Sequence, residues 1–134
     1  MADLTAPGAH GGHHGGAAHH GTEEMRACIQ VCTECYAACL EMARHCLDLA
    51  YRGKHGEAGH VTMLLDCAEI CQTSANFMLR GSPNHAHTCG ACAEICRACE
   101  RECRRFGDDA AMQWCAEVCQ RCAESCARMA AMAA

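Results

Sequence analysis

Between Cys89 and Cys103 the chain reads C-G-A-C-A-E-I-C-R-A-C-E-R-E-C, five cysteines at intervals of 3, 4, 3 and 4 residues. That alternation returns one residue per turn to the same narrow stripe of an α-helix. A strand, whose side chains alternate with period two, would scatter the same cysteines over both faces. The segment is therefore a helix with a seam of sulfur.

The same metre recurs three more times. One ladder holds Met25, Cys28, Cys32, Cys35, Cys39, Met42, Cys46 and Leu49, and a second holds His60, Leu64, Cys67, Cys71, Ser74 and Met78. The first stretch extends at both ends into His85, Cys89, Cys92, Cys96, Cys99, Cys103 and Phe106, and the last ladder is Met112, Cys115, Cys119, Cys122, Cys126 and Met129. All 16 cysteines fall on these four seams. A seam takes two positions in seven, so with each helix phase chosen freely a chance alignment is on the order of one in 10⁵. Four helices with inward cysteine stripes predict an all-α fold with a thiol-lined core.

A chain of 134 residues suits one domain with a real core. Aromatics make up only 4% of it, and Ala, Leu, Met, Glu, Arg and Gln fill the periodic segments, which favours helix over strand. The net charge is -5, and the basic residues of the third and fourth ladders alternate with glutamate, as in Glu100 with Arg104, Glu117 with Arg121 and Glu124 with Arg128. These i,i+4 spacings are those of solvated helix faces. Neither nucleic acid nor an acidic membrane surface would find a run of positive charge there.

Residues 1–21 are mostly Gly, Ala and His without periodicity, and the expectation is a disordered tail. Its histidines, His10, His13, His14, His19 and His20, could hold a metal loosely or serve only as a solvated linker. This segment has no basic n-region and no apolar h-region, and nothing in the chain is long and apolar enough to span a bilayer, so a cytoplasmic location is expected. In that compartment thiols stay reduced, and a cysteine pattern points to metal binding or catalysis before disulfides.

Residues 22–134 are expected to form the bundle. Thr22 is a candidate N-cap, with Glu23 and Glu24 in the first turn, and the first helix runs to about Arg52 with Gly53 as its stop. The second helix covers about Glu57 to Arg80 with Gly81 as stop, the third about His85 to Arg105 ending at Gly107, and Asp108 caps a fourth that runs to about Met129. Short connections make each helix antiparallel to the one before, an up-down-up-down four-helix bundle. Gly90 is the weak point of the third helix, a close approach of two backbones or a late helix start. Ile29, Val31, Leu40, Leu47, Leu65, Ile70, Phe77, Ile95, Trp114 and Val118 lie outside the seams and are available to hold helices together.

Seven pairs have the form C-x-x-x-C: Cys28 with Cys32, Cys35 with Cys39, Cys67 with Cys71, Cys92 with Cys96, Cys99 with Cys103, Cys115 with Cys119, and Cys122 with Cys126. Each projects two sulfurs from successive turns, and soft thiolates select copper(I), which in two-coordinate form wants its sulfurs roughly 4–5 Å apart. Charge points the same way. Thiolates buried in a dry core are costly unless neutralised; one monovalent ion per thiolate cancels their charge, whereas a tetrathiolate zinc site keeps an excess of two. Zinc sites also favour knuckles on loops, and the ferredoxin cysteine run is absent. Cys-x-x-Cys pairs such as Cys32 with Cys35 are by-products of the metre with no surrounding βαβ pattern, which argues against a thiol oxidoreductase or any other enzyme. A reduced core of small apolar groups would explain burial but not so many repeats, where Leu and Ala pack more stably. From the residues alone the reading is a soft-metal multi-thiolate store, with a zinc or mixed-metal thiolate protein or a thiol redox-switch bundle as the competing classes.

The repeated C-x-x-x-C pairs, the A-E-I-C phrasing that ends at Cys71 and again at Cys96, and the C-A-E-S-C ending at Cys126 resemble the four-helix-bundle copper-storage proteins over residues 22–134. Lack of an export signal makes the chain similar to the cytosolic branch. The resemblance implies reversible storage or sequestration of many copper(I) ions inside a preformed bundle, and assembly into a homotetramer. A copper chaperone is the expected kind of delivery partner. The second helix departs from the fullest patterns, since Ser74 and Met78 continue its seam in place of cysteine.

Antiparallel packing gathers Met25, Met78, His85, His87 and Met129 at one end of the bundle. Thioethers and imidazoles bind copper(I) without adding charge and could pass it inward to the thiolates. Met25, Met78, Met129 and the seam residue His85 are therefore expected to act as ligands at a loading mouth, beside the sixteen cysteines that store the metal. The opposite end offers His60, Met63, Met112, His45 and Asp66. Capacity should be about one ion per thiolate.

Overall fold

The computed structural model describes residues 16–54 and 57–132. These form four helices, α1 (Gly16–Tyr51), α2 (Ala58–Leu79), α3 (His85–Arg104) and α4 (Ala110–Met132), with no strand among the described residues. The order and bounds follow the sequence pattern closely, and the bundle is the antiparallel one expected.

Two connections are set by glycine. Gly53 (φ 72°) and Gly81 (φ 65°) are left-handed, a conformation that crowds any Cβ. After α1, Gly53 N–H donates to Ala50 O (3.0 Å) and Lys54 N–H to Leu49 O (2.9 Å). After α2, Gly81 N–H donates to Met78 O (3.0 Å) and Ser82 N–H to Phe77 O (2.9 Å). Both are Schellman closures, which satisfy the last carbonyls of a helix while turning the chain back. Gly107 is not left-handed; α3 instead ends by tightening, with Arg105 N–H on Glu102 O and Phe106 N–H on Cys103 O, both at 3.2 Å.

Three local expectations change. Helix α1 already begins at Gly16, ahead of Thr22, because extending a nucleated helix through Ala17 and Ala18 costs little; residues 1–15, which carry most of the expected tail, lie outside the described residues. The cap of α4 is Asp109 and not Asp108: its Oδ1 accepts from Ala111 N–H (3.0 Å) and Met112 N–H (3.1 Å). His45 on α1 holds the other oxygen, Oδ2, at 2.7 Å, which selects this aspartate. On the surface, Arg104 pairs with Glu100 at 2.8 Å as expected. Arg121 reaches instead to Glu34 on α1 at 3.5 Å, and Glu124 accepts from Gln120 Nε2 at 3.2 Å.

Helix α1 packs against α2 and α4, and α3 packs against the same two; among the described residues the backbones of the diagonal pairs stay apart. Small side chains allow this close square. Ala38, Ala68, Ala75, Ala93, Ala116 and Ala123 are buried beside the cysteines, so neighbouring backbones approach while sulfur fills the centre. Gly90 lies inside α3, and a Cβ placed there would meet the Ala130 Cβ at 4.0 Å, an ordinary contact. Val31 and Val118 are buried and Ile29, Ile70 and Ile95 are partly so, whereas Leu40, Leu47, Leu65 and Trp114 stay exposed.

Candidate metal centre

Every cysteine side chain turns inward. All 16 are buried, none more than 2% exposed, and all are free thiols. The seams therefore converge on the bundle axis as their spacing requires.

Within helices, Cys28 and Cys32 place their Sγ atoms 4.0 Å apart and Cys92 and Cys96 place theirs 3.8 Å apart. Several contacts between helices are shorter. Cys32 and Cys126 stand at 3.4 Å, Cys71 and Cys96 at 3.5 Å, Cys28 and Cys126 at 3.6 Å, and Cys67 and Cys96 at 3.7 Å. Sulfur also crosses the diagonal between α2 and α4, where Cys71 and Cys122 are 3.8 Å apart. The C-x-x-x-C pair is thus one edge of a site shared by several helices.

Four tetrads have all their sulfurs within 4.8 Å of one another: Cys32, Cys92, Cys122 and Cys126; Cys35, Cys39, Cys67 and Cys119; Cys35, Cys67, Cys71 and Cys96; and Cys71, Cys92, Cys96 and Cys122. Cys28, Cys89 and Cys126 form a triad by the same measure. The groups overlap, since Cys35, Cys67, Cys71, Cys92, Cys96, Cys122 and Cys126 each belong to two. Four thiolates closed around one divalent zinc leave two negative charges unbalanced in a dry core. Shared sulfurs instead make a continuous net in which each can bridge neighbouring soft monovalent ions.

Ionisation in this net is coupled. Cys35 and Cys99 are drawn down, first by the sulfurs of Cys119 and Cys103 respectively, whereas Cys39 and Cys122 are pushed up by Cys115 and Cys126 and by burial. A proton held by one thiol serves the thiolate beside it, so the whole set cannot ionise without a compensating cation. Cys46, at the edge, is pushed up to about 11 by burial and then by the Asp109 carboxylate and Cys115.

The two ends of the net differ. At the end formed by the start of α1 and α3 and the close of α2 and α4, Met78 (2% exposed) and Met129 (3%) are buried and Met25 is partly buried. Met78 Sδ lies 3.8 Å from Cys89 Sγ. His85 is half-buried and its Nδ1–H donates to Ser82 O at 2.9 Å, which leaves the ring lone pair on Nε2. His87 is exposed. At the other end His60, 2% exposed, places Nε2 3.3 Å from Met112 Sδ, while its Nδ1 is buried without a hydrogen-bond partner. The Phe106 ring packs on it at 4.6 Å between centroids. Met63 is partly buried, Asp66 is exposed and His45 is engaged by Asp109. The hydroxyl of Ser74 on Cys89 Sγ (3.3 Å) and the pairing of His60 with Met112 are relationships that seam position alone does not reveal. Among the described residues no helix is long and apolar enough to cross a membrane.

Comparison with known proteins agrees with this geometry. The family model described as copper storage protein matches residues 21–131. The Nmul_A1745 protein of Nitrosospira multiformis is 49% identical, with a TM-score of 0.75 over 82% of this chain and 97% of that one. The Cu(I)-bound copper storage protein BsCsp3 is 33% identical, with a TM-score of 0.71 over 80% of this chain and 98% of its own. A cytosolic copper storage protein from Streptomyces lividans, in a structure with five coppers, is 29% identical, with a TM-score of 0.73 over 84% of this chain and 97% of that one.

Proposed function

Since the chain belongs to the copper storage protein family and holds copper(I) ions in its cysteine-rich core, we propose that it acts as a cytosolic store loaded through the Met25, Met78, His85 and Met129 end. The observation that carries the storage reading is the set of sixteen buried free thiols, twelve of which form one net of overlapping groups. One copper(I) per thiolate neutralises that net, which sets the capacity at about one ion per cysteine. The role is binding and release, not turnover of a substrate. Protonated thiols pack as small hydrophobes, so the bundle is formed before metal arrives.

Neutral thioethers and an imidazole with a free Nε2 suit the mouth, because they hold copper(I) weakly enough to hand it to Cys89 and Cys28. Exposed Leu40, Leu47, Leu65 and Trp114 supply apolar surface for a homo-oligomer, for which a tetramer is the proposed state. A copper chaperone is the proposed donor.

Anaerobic copper(I) titration against a chromophoric chelator, with thiols counted beforehand, tests the reading. Saturation near one ion per thiol supports it; about four tightly held divalent ions that resist exchange, or thiols that pair under mild oxidant with no copper preference, would refute it. Replacing Met25, Met78, His85 and Met129 together should slow uptake and leave capacity nearly intact. An unchanged uptake rate refutes the mouth assignment.

A further inference from the structure

Ser74 occupies the α2 seam position where the metre of the chain would place another sulfur, and it is fully buried. Its Oγ lies 3.3 Å from Cys89 Sγ. Cys89 belongs to the triad with Cys28 and Cys126, the outermost of the five sulfur groups at its end of the bundle and the one with three members instead of four. Deeper in the net α2 contributes Cys71 to two tetrads; beside this triad it contributes a hydroxyl and, a turn further out, the Met78 thioether 3.8 Å from Cys89.

We propose that Ser74 makes this outer triad the exchange site of the store, the place where a copper(I) ion is held last on loading and released first. The inference rests on the storage function given above but not on which side chains form the mouth. A neutral hydroxyl oxygen is a hard, poor ligand for copper(I), so Ser74 does not replace the missing thiolate. When Cys89 is a thiolate, the buried hydroxyl donates to it, and a hydrogen bond to a charged acceptor is among the stronger ones. That bond occupies sulfur electron density which Cys89 would otherwise use to bridge a second ion. The triad therefore binds its ion through fewer shared sulfurs than the tetrads do. Cys126 Sγ stands 3.4 Å from Cys32 Sγ of the next group, which provides the step inward.

The test uses the full chain loaded with copper(I) anaerobically and then exposed to excess chromophoric chelator, following release over time. Wild type should show a fast first phase of about one ion ahead of the slower remainder. Ser74→Ala frees Cys89 to bridge and should slow that phase about tenfold, leaving later phases alone. Ser74→Cys completes a tetrad and should remove the fast phase while adding about one ion to the capacity. A general packing defect would instead speed every phase together. An unchanged or faster first phase in Ser74→Ala overturns the proposal, and if that variant loses helicity, wild-type release from Ser74→Cys does so. Failure of the storage reading would look different, as a wild-type chain that does not take up copper(I) in proportion to its thiols.

Discussion

Cys32 of α1 and Cys126 of α4 hold their sulfur atoms 3.4 Å apart across a separation of 94 positions in the chain. Neither the α1 seam nor the α4 seam could make this contact alone. It is one link of a net that runs through Cys122, Cys71 and Cys96 to α2 and α3. The metal centre and the hydrophobic core are consequently the same atoms, so the protonation of one is the stability of the other.

Copper binding should release protons. Cys46 is pushed up to about 11 by burial, Asp109 and Cys115, and Cys39 and Cys122 are also pushed up, so these thiols carry their protons at neutral pH and must lose them to bind metal. Anaerobic loading in weak buffer with a pH indicator should register protons released with copper, and a competing chelator should strip more copper at pH 6 than at pH 8. Proton-free loading would mean that the thiolates exist before the metal arrives.

His60 should make the apo bundle sensitive to mild acid. Burial, opposed by the nearby Cys99, Glu102, Cys115 and Glu57, lowers its pKa from the ordinary 6.5. The unfolded chain thus takes up the proton first. Its contribution is unaffected above about pH 6.5, and stability falls as the pH drops through that value. Melting of the apo protein at pH 7.5 and 5.5 should show a larger loss in wild type than in His60→Leu; equal losses would show that the ring is protonated as readily in the folded state.

Gly90→Ala should stabilise the bundle by roughly 0.5–1 kcal/mol, since the new Cβ meets Ala130 at an ordinary 4.0 Å and the unfolded chain loses freedom. Gly53→Ala and Gly81→Ala should destabilise it by about 1 kcal/mol, because both positions are left-handed. Urea unfolding of the three apo variants compares them directly; a loss at Gly90 would mean that α3 and α4 pack more tightly there than the contact distance implies.

Asp109→Ala should cost about 1–2 kcal/mol, through loss of the α4 cap and of the His45 contact. Asp108→Ala should stay within about 0.5 kcal/mol of wild type. Thermal melting of both decides between the two neighbouring aspartates, and equal effects would contradict the cap.

The inward face of each helix could be read from spacing because period is a local property, and a thiol is small enough to sit on any seam without deforming it. Gly53 and Gly81 were readable as stops for the same reason, since a left-handed residue acts on its own neighbours. What spacing leaves open is offset along the axis. Whether Cys126 meets Cys28, Cys32 or both depends on how far α4 slides past α1, and that is decided by side chains on both helices together. The choice of Asp109 over Asp108 is of the same kind, made by His45 from another helix. Arg121 likewise prefers Glu34 across the helix gap to its own-helix Glu117.

Because diagonal helices meet through sulfur and not through backbone, the container is a column of fixed width. A heptad added to every helix would contribute about eight more thiols and about 10 Å of height. The wall between an ion and water would keep its thickness. Storage of this design grows by stacking layers, and the hundredth ion in a longer relative would be no better shielded, and no harder to reach sideways, than the first.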